Sequence, residues 1–252
     1  MPRESAARLW VLIRHNVLLM AREPGPVLSR MILPLAFLTL LRLLYTAGQG
    51  ESAGTEQAVV GTLVTFSLLA LSICGGSILT ERLGRTWDRL RGTALHPAEL
   101  LMGKALPAFA ALLAQQLLIV GFAVCAFGLR VPHPFLLLGV LLSWSCTLLA
   151  LGTLLGVLVR SLGALSAAYD LGGMLLSSVG GALVPLAALP AWVAAVAPAS
   201  PGYWAAHGVR AALAGDAYTA AESCGTLLVV ALVCGSVASV RLRGRGGRLV
   251  AL

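Results

Sequence analysis

The sequence predicts an all-α membrane protein with six transmembrane helices. Only 11% of its 252 residues are charged, 58% are hydrophobic, and the mean hydropathy is +0.91. A water-soluble domain could not cover its surface with so few polar side chains. Helices are the expected elements, because an apolar run of about 20 residues matches the hydrocarbon thickness of a bilayer. We interpret residues 1–252 as a single transmembrane domain.

The N-terminal segment, residues 1–23, is predicted to be a helix lying on the membrane surface. One side of this helix is apolar, and polar residues fall roughly opposite. The apolar side consists of Trp10, Ile13, Val17 and Met20. A proline-rich sequence follows, breaks the helix and turns the chain into the bilayer. A disordered basic tail is the alternative interpretation.

Six long apolar runs are the candidate spans. They cover residues 27–45, 58–79, 105–127, 135–159, 162–186 and 224–240. The first contains Arg30 and Arg42, so it can span only if these side chains extend to opposite membrane surfaces. Glycines in the fourth and fifth spans are interpreted as positions of close helix packing. They are Gly152, Gly156, Gly172, Gly173, Gly180 and Gly181.

The orientation follows from the arginines. Most of the 18 basic residues precede the first span, lie between the second and third, or form the basic tail at residues 241–252. This asymmetry predicts a multi-pass protein of the cell membrane with both termini in the cytoplasm. The positive net charge is therefore a topological signal, and no nucleic-acid partner is expected.

Residues 187–223 connect the fifth and sixth spans on the predicted outer side. The segment is too apolar for a free loop, and its prolines interrupt it too often for a span. We therefore expect an outer re-entrant helical hairpin that enters the outer leaflet.

The longest cytoplasmic segment, residues 80–104, is also the richest in charge. Leu83, Trp87 and Leu90 recur at helical spacing, so a short helix there would carry an apolar ridge flanked by charges. A basic connector that only fixes topology would not need this ridge. We therefore interpret the segment as a docking surface for a partner.

The sequence contains no nucleotide-binding motif of its own. Gly103-Lys104 lacks the preceding glycine of a phosphate-binding loop and is followed by Ala105, and no cytoplasmic loop could fold a nucleotide-binding domain. The cysteines and histidines are widely separated, so no metal site or cofactor is expected. If ATP drives transport, a partner chain must hydrolyse it.

The docking segment resembles the ABC-2 type permease family, the membrane subunits of ABC exporters that include daunorubicin-resistance exporters. The resemblance is carried by Glu81-Arg82, Gly92-Thr93, Pro97, Glu99-Leu100-Leu101 and Gly103-Lys104. It extends over nearly the whole chain. It includes the surface helix followed by Arg-Glu-Pro and the outer Leu-Pro-Ala-Trp hairpin before the last span.

The resemblance implies a role for the ridge. In this family the segment is a coupling helix that seats in a groove of a separate ATPase subunit. The coupling residues would be Glu81, Arg82, Leu83, Arg85, Trp87, Asp88, Arg89 and Leu90. The chain would then export a hydrophobic or amphipathic compound such as a drug, antibiotic or lipid. Its partners would be an ABC ATPase carrying ATP, a second permease subunit in a homo- or heterodimer, and the lipid bilayer.

Asp170 is the one carboxylate well inside a predicted span. An acid at that depth is expected to face the bundle interior and to have a partner. It could contact a cationic substrate or carry a proton, or it could hydrogen-bond a neighbouring helix. An ion-coupled secondary transporter that uses Asp170 is therefore the alternative function. An enzyme is not expected, because no set of catalytic side chains converges at membrane depth.

Overall fold

The computed structural model describes residues 24–69, 71, 75–76, 79–80 and 97–244, and this part of the chain is helical with short connections. We number eight α-helices in chain order. They are α1 (Pro24–Gln49), α2 (Glu51–Leu69), α3 (Pro97–Phe127), α4 (Pro134–Leu158), α5 (Leu162–Val179), α6 (Ala191–Val196), α7 (Pro201–Ala214) and α8 (Ala217–Gly244). No strand occurs among these residues.

The first two helices follow each other with almost no loop. Helix α1 begins at Pro24, where proline fits the first turn, and extends beyond the predicted end of the first span. Gly50 then adopts φ +84°, a conformation that glycine allows, and α2 starts directly at Glu51 rather than at residue 58. The carboxylate of Glu51 lies in the first turn of α2, where negative charge is favourable.

Helix α5 is shorter than the predicted fifth span. It starts after Ser161, whose hydroxyl accepts a hydrogen bond from the Ala164 amide, and it ends at Val179 rather than at residue 186. Gly181 has φ +72°, so the chain leaves the helix axis at the Gly180-Gly181 pair. The sequence prediction extended the span because the residues that follow are still apolar.

The predicted outer hairpin folds into α6 and α7, which are preceded and separated by short 3₁₀ turns. Helix α7 packs against α2, α4, α5 and α8, and most of its small residues are buried. Gly215, at φ +81°, ends α7. The last helix therefore starts at Ala217, earlier than the predicted residue 224.

Five of the described helices are long and apolar enough to cross a membrane. The qualifying stretches are Met31–Gln49, Ala105–Phe127, Pro134–Leu158, Leu162–Val179 and Ala217–Arg241. Helix α2 begins the other predicted span, and part of that span lies outside the described residues. The core lies where α4 packs on α8 and α7, and where α2 packs on α1, α3 and α5.

The glycines divide between packed and open positions. A Cβ on Gly156 would lie 2.7 Å from the carbonyl oxygen of Gly75, and one on Gly180 would lie 2.6 Å from the amide nitrogen of Tyr203. These two positions are sites of close packing, as expected. Gly172 faces open space instead, so it is not a position of close helix packing within this single chain.

Candidate functional site

Polar contacts concentrate at one end of the helix bundle, which we call the predicted outer end. It is formed by Gly50, residues 128–133, residues 180–190 and residues 215–216, which connect successive helices. Two neighbouring features lie there. One is a turn after α5 that accepts hydrogen bonds from three helices, and the other is a charged cavity between α1, α2 and α3.

Arg210 is the centre of the first feature. It lies in α7, and its Nη2 atom donates to the side-chain oxygen of Gln57 in α2 at 2.8 Å and to the carbonyl oxygen of Gly181 at 2.8 Å. A guanidinium group can make several such bonds at once because its donors form a planar fork. Arg210 thereby ties α2, α7 and the end of α5 together.

The two carbonyls that follow are held in the same way. Gln57 donates from its amide nitrogen to the carbonyl oxygen of Ala182 at 2.7 Å, and the hydroxyl of Tyr45 in α1 donates to the carbonyl of Leu183. Three consecutive carbonyls, at residues 181–183, therefore accept from side chains of α7, α2 and α1. We call residues 181–183 the carbonyl turn. It satisfies backbone acceptors that would otherwise be costly to bury.

Burial shifts the pKa values of two charged residues at this end, Arg210 and Glu56. Desolvation lowers the pKa of Arg210 from its ordinary value, and the nearby Glu56 and Tyr203 partly oppose that shift. Burial raises the pKa of Glu56, and the positive charge of Arg210 acts in the opposite direction. The two groups thus favour each other's charged forms across the outer end.

The cavity has a volume of about 430 Å³ and lies beside this cluster. Arg42 stands in its wall: its guanidinium lies 3.3 Å from the Glu51 carboxylate and 4.6 Å from the centre of the Phe127 ring. Its Nε atom also donates to the Thr55 hydroxyl at 3.1 Å. Arg42 is expected to extend to a membrane surface, and in the structure its contacts lie at the predicted outer end of the bundle.

Polar side chains also lie deep between the spans. Gln116 in α3 is 0% exposed, and its side-chain oxygen accepts a hydrogen bond from the Ser145 hydroxyl of α4 at 3.4 Å. Thr147, also in α4, donates to the carbonyl of Leu227 in α8 at 2.8 Å. These bonds join α3, α4 and α8, as polar residues commonly do between membrane helices.

The residues predicted to couple to an ATPase lie outside the described part of the chain. These are Glu81, Arg82, Leu83, Arg85, Trp87, Asp88, Arg89 and Leu90. The same holds for the N-terminal segment and for the basic tail beyond residue 244. Their roles stay predictions.

Asp170 lies on an exposed face of α5. The expectation that it faces the interior of the bundle is therefore wrong for this single chain. The position of a residue along a span can be predicted from the sequence, but the helices that pack against that residue cannot. Leu171, Met174 and Leu175 on the same helix are also exposed.

Neither Arg210 nor Gln57 is among the site residues predicted from the sequence. One signal was available. Gln57 is a polar residue at the start of a long apolar run, and Arg210 lies in an Ala-rich helical segment between prolines and Gly215. Polar groups in such surroundings must find partners, but the sequence does not show which ones.

Comparison with known proteins identifies the family of the chain. The ABC-2 type transporter family matches residues 7–214, which is most of the chain. No curated protein matches the sequence. The family match agrees with a multi-pass helical protein, and members of this family normally work with a separate ATPase subunit. The protein therefore belongs to the ABC-2 type transporter family, whose members are membrane subunits of ABC transporters.

Proposed function

We propose that this chain is the permease subunit of an ATP-driven exporter of the daunorubicin-resistance type, which moves a hydrophobic or amphipathic compound out of the cytoplasm. The observation that carries the proposal is the family match over residues 7–214. Alternating access would expose the pathway first to the cytoplasm and then to the outside. Energy would come from ATP bound to a partner subunit.

The exposed faces of the bundle support a second permease subunit beside this one. On α5, Leu171 is 67% exposed and Met174 is 58% exposed, and Asp170 is exposed next to Leu171. An acid facing lipid is costly, so protein or a water-filled path is the expected neighbour. A homo- or heterodimer that buries α5 would provide it.

Within the single chain, Asp170 does not have the position expected of the alternative, an ion-coupled secondary transporter. Such a transporter would hold its coupling carboxylate in a binding site near the middle of the bundle. Among the described residues, Gln116, Ser145 and Thr147 make polar contacts deep between the helices.

The coupling role of residues 80–104 is tested by reversing charge in the predicted docking helix. We expect Arg85→Glu combined with Arg89→Glu to abolish co-purification of the cognate ABC ATPase. The reason is that the guanidinium groups would be replaced by repelling carboxylates at a docking surface. The matched control is Arg160→Glu, a charge reversal in another predicted cytoplasmic connection. An ATPase that still co-purifies with the double variant at the wild-type level contradicts the coupling role.

A further inference from the structure

The charged cavity between α1, α2 and α3 has the chemistry of a site for organic cations. Its volume of about 430 Å³ lies in the range of small-molecule sites. Its lining includes an aromatic ring, Phe127, and two carboxylates, Glu51 and Glu56. Carboxylates combined with an aromatic face are the groups that recognise ammonium and guanidinium ligands.

The cavity already holds a cation of this kind, the side chain of Arg42. Its guanidinium lies 4.6 Å from the centre of the Phe127 ring, within the distance at which a ring attracts a positive charge. It also lies 3.3 Å from a carboxylate oxygen of Glu51, and it donates to Thr55. The wall therefore binds a cation through a ring, a carboxylate and a hydroxyl together.

The contacts of Arg42 are of a kind that another cation can replace. The Glu51 side chain is 88% exposed, and an ion pair open to water contributes little stability. Arg42 itself sits near the end of α1 on a long flexible side chain, so it can turn away into water without moving the helix.

Glu56 supplies a second carboxylate in the same lining. Among the described residues, no cation lies within 4.0 Å of it, because the nearby Arg210 donates to Gln57 and Gly181 instead. Arg130 is also in the lining, but its side chain is exposed, so water and salt screen its charge. The carboxylate of Glu56 therefore interacts with the charge of Arg210 only at a distance, and it can make a direct contact with an incoming positive charge.

We propose that this cavity binds an organic cation, a quaternary ammonium or guanidinium compound, on the outer side of the protein, and that Arg42 is the resident cation which the ligand displaces. The outer placement rests on the proposed orientation and function. On that basis the cavity is an outer subsite for cationic, amphipathic cargo, and Arg42 returns to it as the cargo leaves.

The test measures binding of benzyltrimethylammonium to the purified full chain in lipid nanodiscs by calorimetry, without any ATPase. Benzenesulfonate, of similar size and opposite charge, is the control ligand. We expect the cation to bind and the anion not to bind. Equal binding of both compounds, or of neither, overturns the proposal.

Variants then assign the binding to the cavity. We expect Glu56→Gln to weaken binding about ten-fold, since a charge-assisted contact is lost. Phe127→Leu should weaken it about three-fold. Arg42→Gln should strengthen it about three-fold or more, because the competitor is removed and its partners are freed. Glu222→Gln, an exposed acid of α8 outside the cavity lining, should leave the affinity unchanged.

Glu51→Gln provides a second carboxylate variant at an exposed position, in case Glu56→Gln does not fold. Unchanged affinity in both carboxylate variants, or weaker binding in Arg42→Gln, contradicts the proposal. Because the ATPase is absent from this experiment, a negative result would refute the cation site and leave the permease assignment standing. Loss of ATPase co-purification, in contrast, concerns only the permease assignment.

Discussion

At the scale of single residues, Arg210 is the residue on which the predicted outer end depends most. It donates to two acceptors, the side chain of Gln57 and the carbonyl of Gly181, each at 2.8 Å. A methionine at this position would fill similar space but leave both acceptors without a donor. We expect Arg210→Met to lower the free energy of unfolding by roughly 2–4 kcal/mol.

Thermal unfolding of the purified protein measures this effect. Arg130→Met is the matched control, since Arg130 is exposed at the same end of the bundle and should change stability little. If Arg210→Met unfolds at the wild-type temperature, the contacts of the carbonyl turn do not stabilise the fold.

Asp216 caps the last helix and gives a prediction with a pH dependence. Its carboxylate accepts from the Thr219 hydroxyl at 2.5 Å and from the Thr219 amide at 3.1 Å, and these bonds hold the pKa of the carboxyl below its ordinary value. A group with a lowered folded-state pKa stabilises the protein above its unfolded pKa. That stability is lost as the pH falls through the folded value.

We therefore expect Asp216→Ala to lower the unfolding temperature at pH 7. The difference from wild type should begin to shrink below about pH 4, the ordinary pKa of an aspartate. It should go on shrinking as the pH falls through the lower pKa of the folded state. Asp216→Asn is the control, because asparagine caps helices nearly as well as aspartate. If Asp216→Ala lowers the unfolding temperature as much at low pH as at pH 7, the charge of the carboxylate plays no part in the cap.

At the scale of elements, the contact between α5 and α7 depends on glycine. A Cβ on Gly202 would lie 2.6 Å from the carbonyl oxygen of Leu176, and backbone cannot move aside as a side chain can. We expect Gly202→Ala to destabilise the protein by about 1–3 kcal/mol through overpacking. Gly172→Ala in α5 meets open space and should be neutral or slightly stabilising. Equal unfolding temperatures for the two variants would contradict the close packing.

The elements also show how far sequence reasoning extends. Apolar runs located the described spans, because their lengths follow from the bilayer thickness. Their ends were less accurate. The apolar residues after Gly181 extended the predicted fifth span, and the turn at Gly50 was read as a longer loop. The hydropathy of a segment does not indicate where the backbone changes direction. The positive φ of a glycine is likewise known only from the structure.

The candidate site was harder to predict than the spans, for a physical reason. Gln57 and Arg210 are far apart in sequence, and their hydrogen bond exists only because α7 folds back against α2. For Asp170, the position along the span can be predicted from the sequence. Its exposure cannot, because the exposure depends on which helices pack around α5. Partner choice is a property of tertiary packing, which a single sequence does not specify.

At the scale of the whole molecule, the described helices form a bundle closed at its predicted outer end by the carbonyl turn and the contacts of α7. The exposed faces of α1 and α5 remain available for lipid or for a second subunit. The chain belongs to a family of membrane subunits and has no nucleotide-binding motif in its sequence. The proposed transporter is therefore an assembly, with the pathway and the ATPase on different chains.

The composition of that assembly tests the central claim most directly. We propose co-expressing this chain with its cognate ABC ATPase. Native mass spectrometry of the purified sample gives the subunit composition, and an assay of ATP hydrolysis in the same sample gives its activity. We expect a complex of two permease and two ATPase subunits that hydrolyses ATP. A chain that purifies without the ATPase, and that transports cargo in proteoliposomes driven by an ion gradient alone, would contradict it.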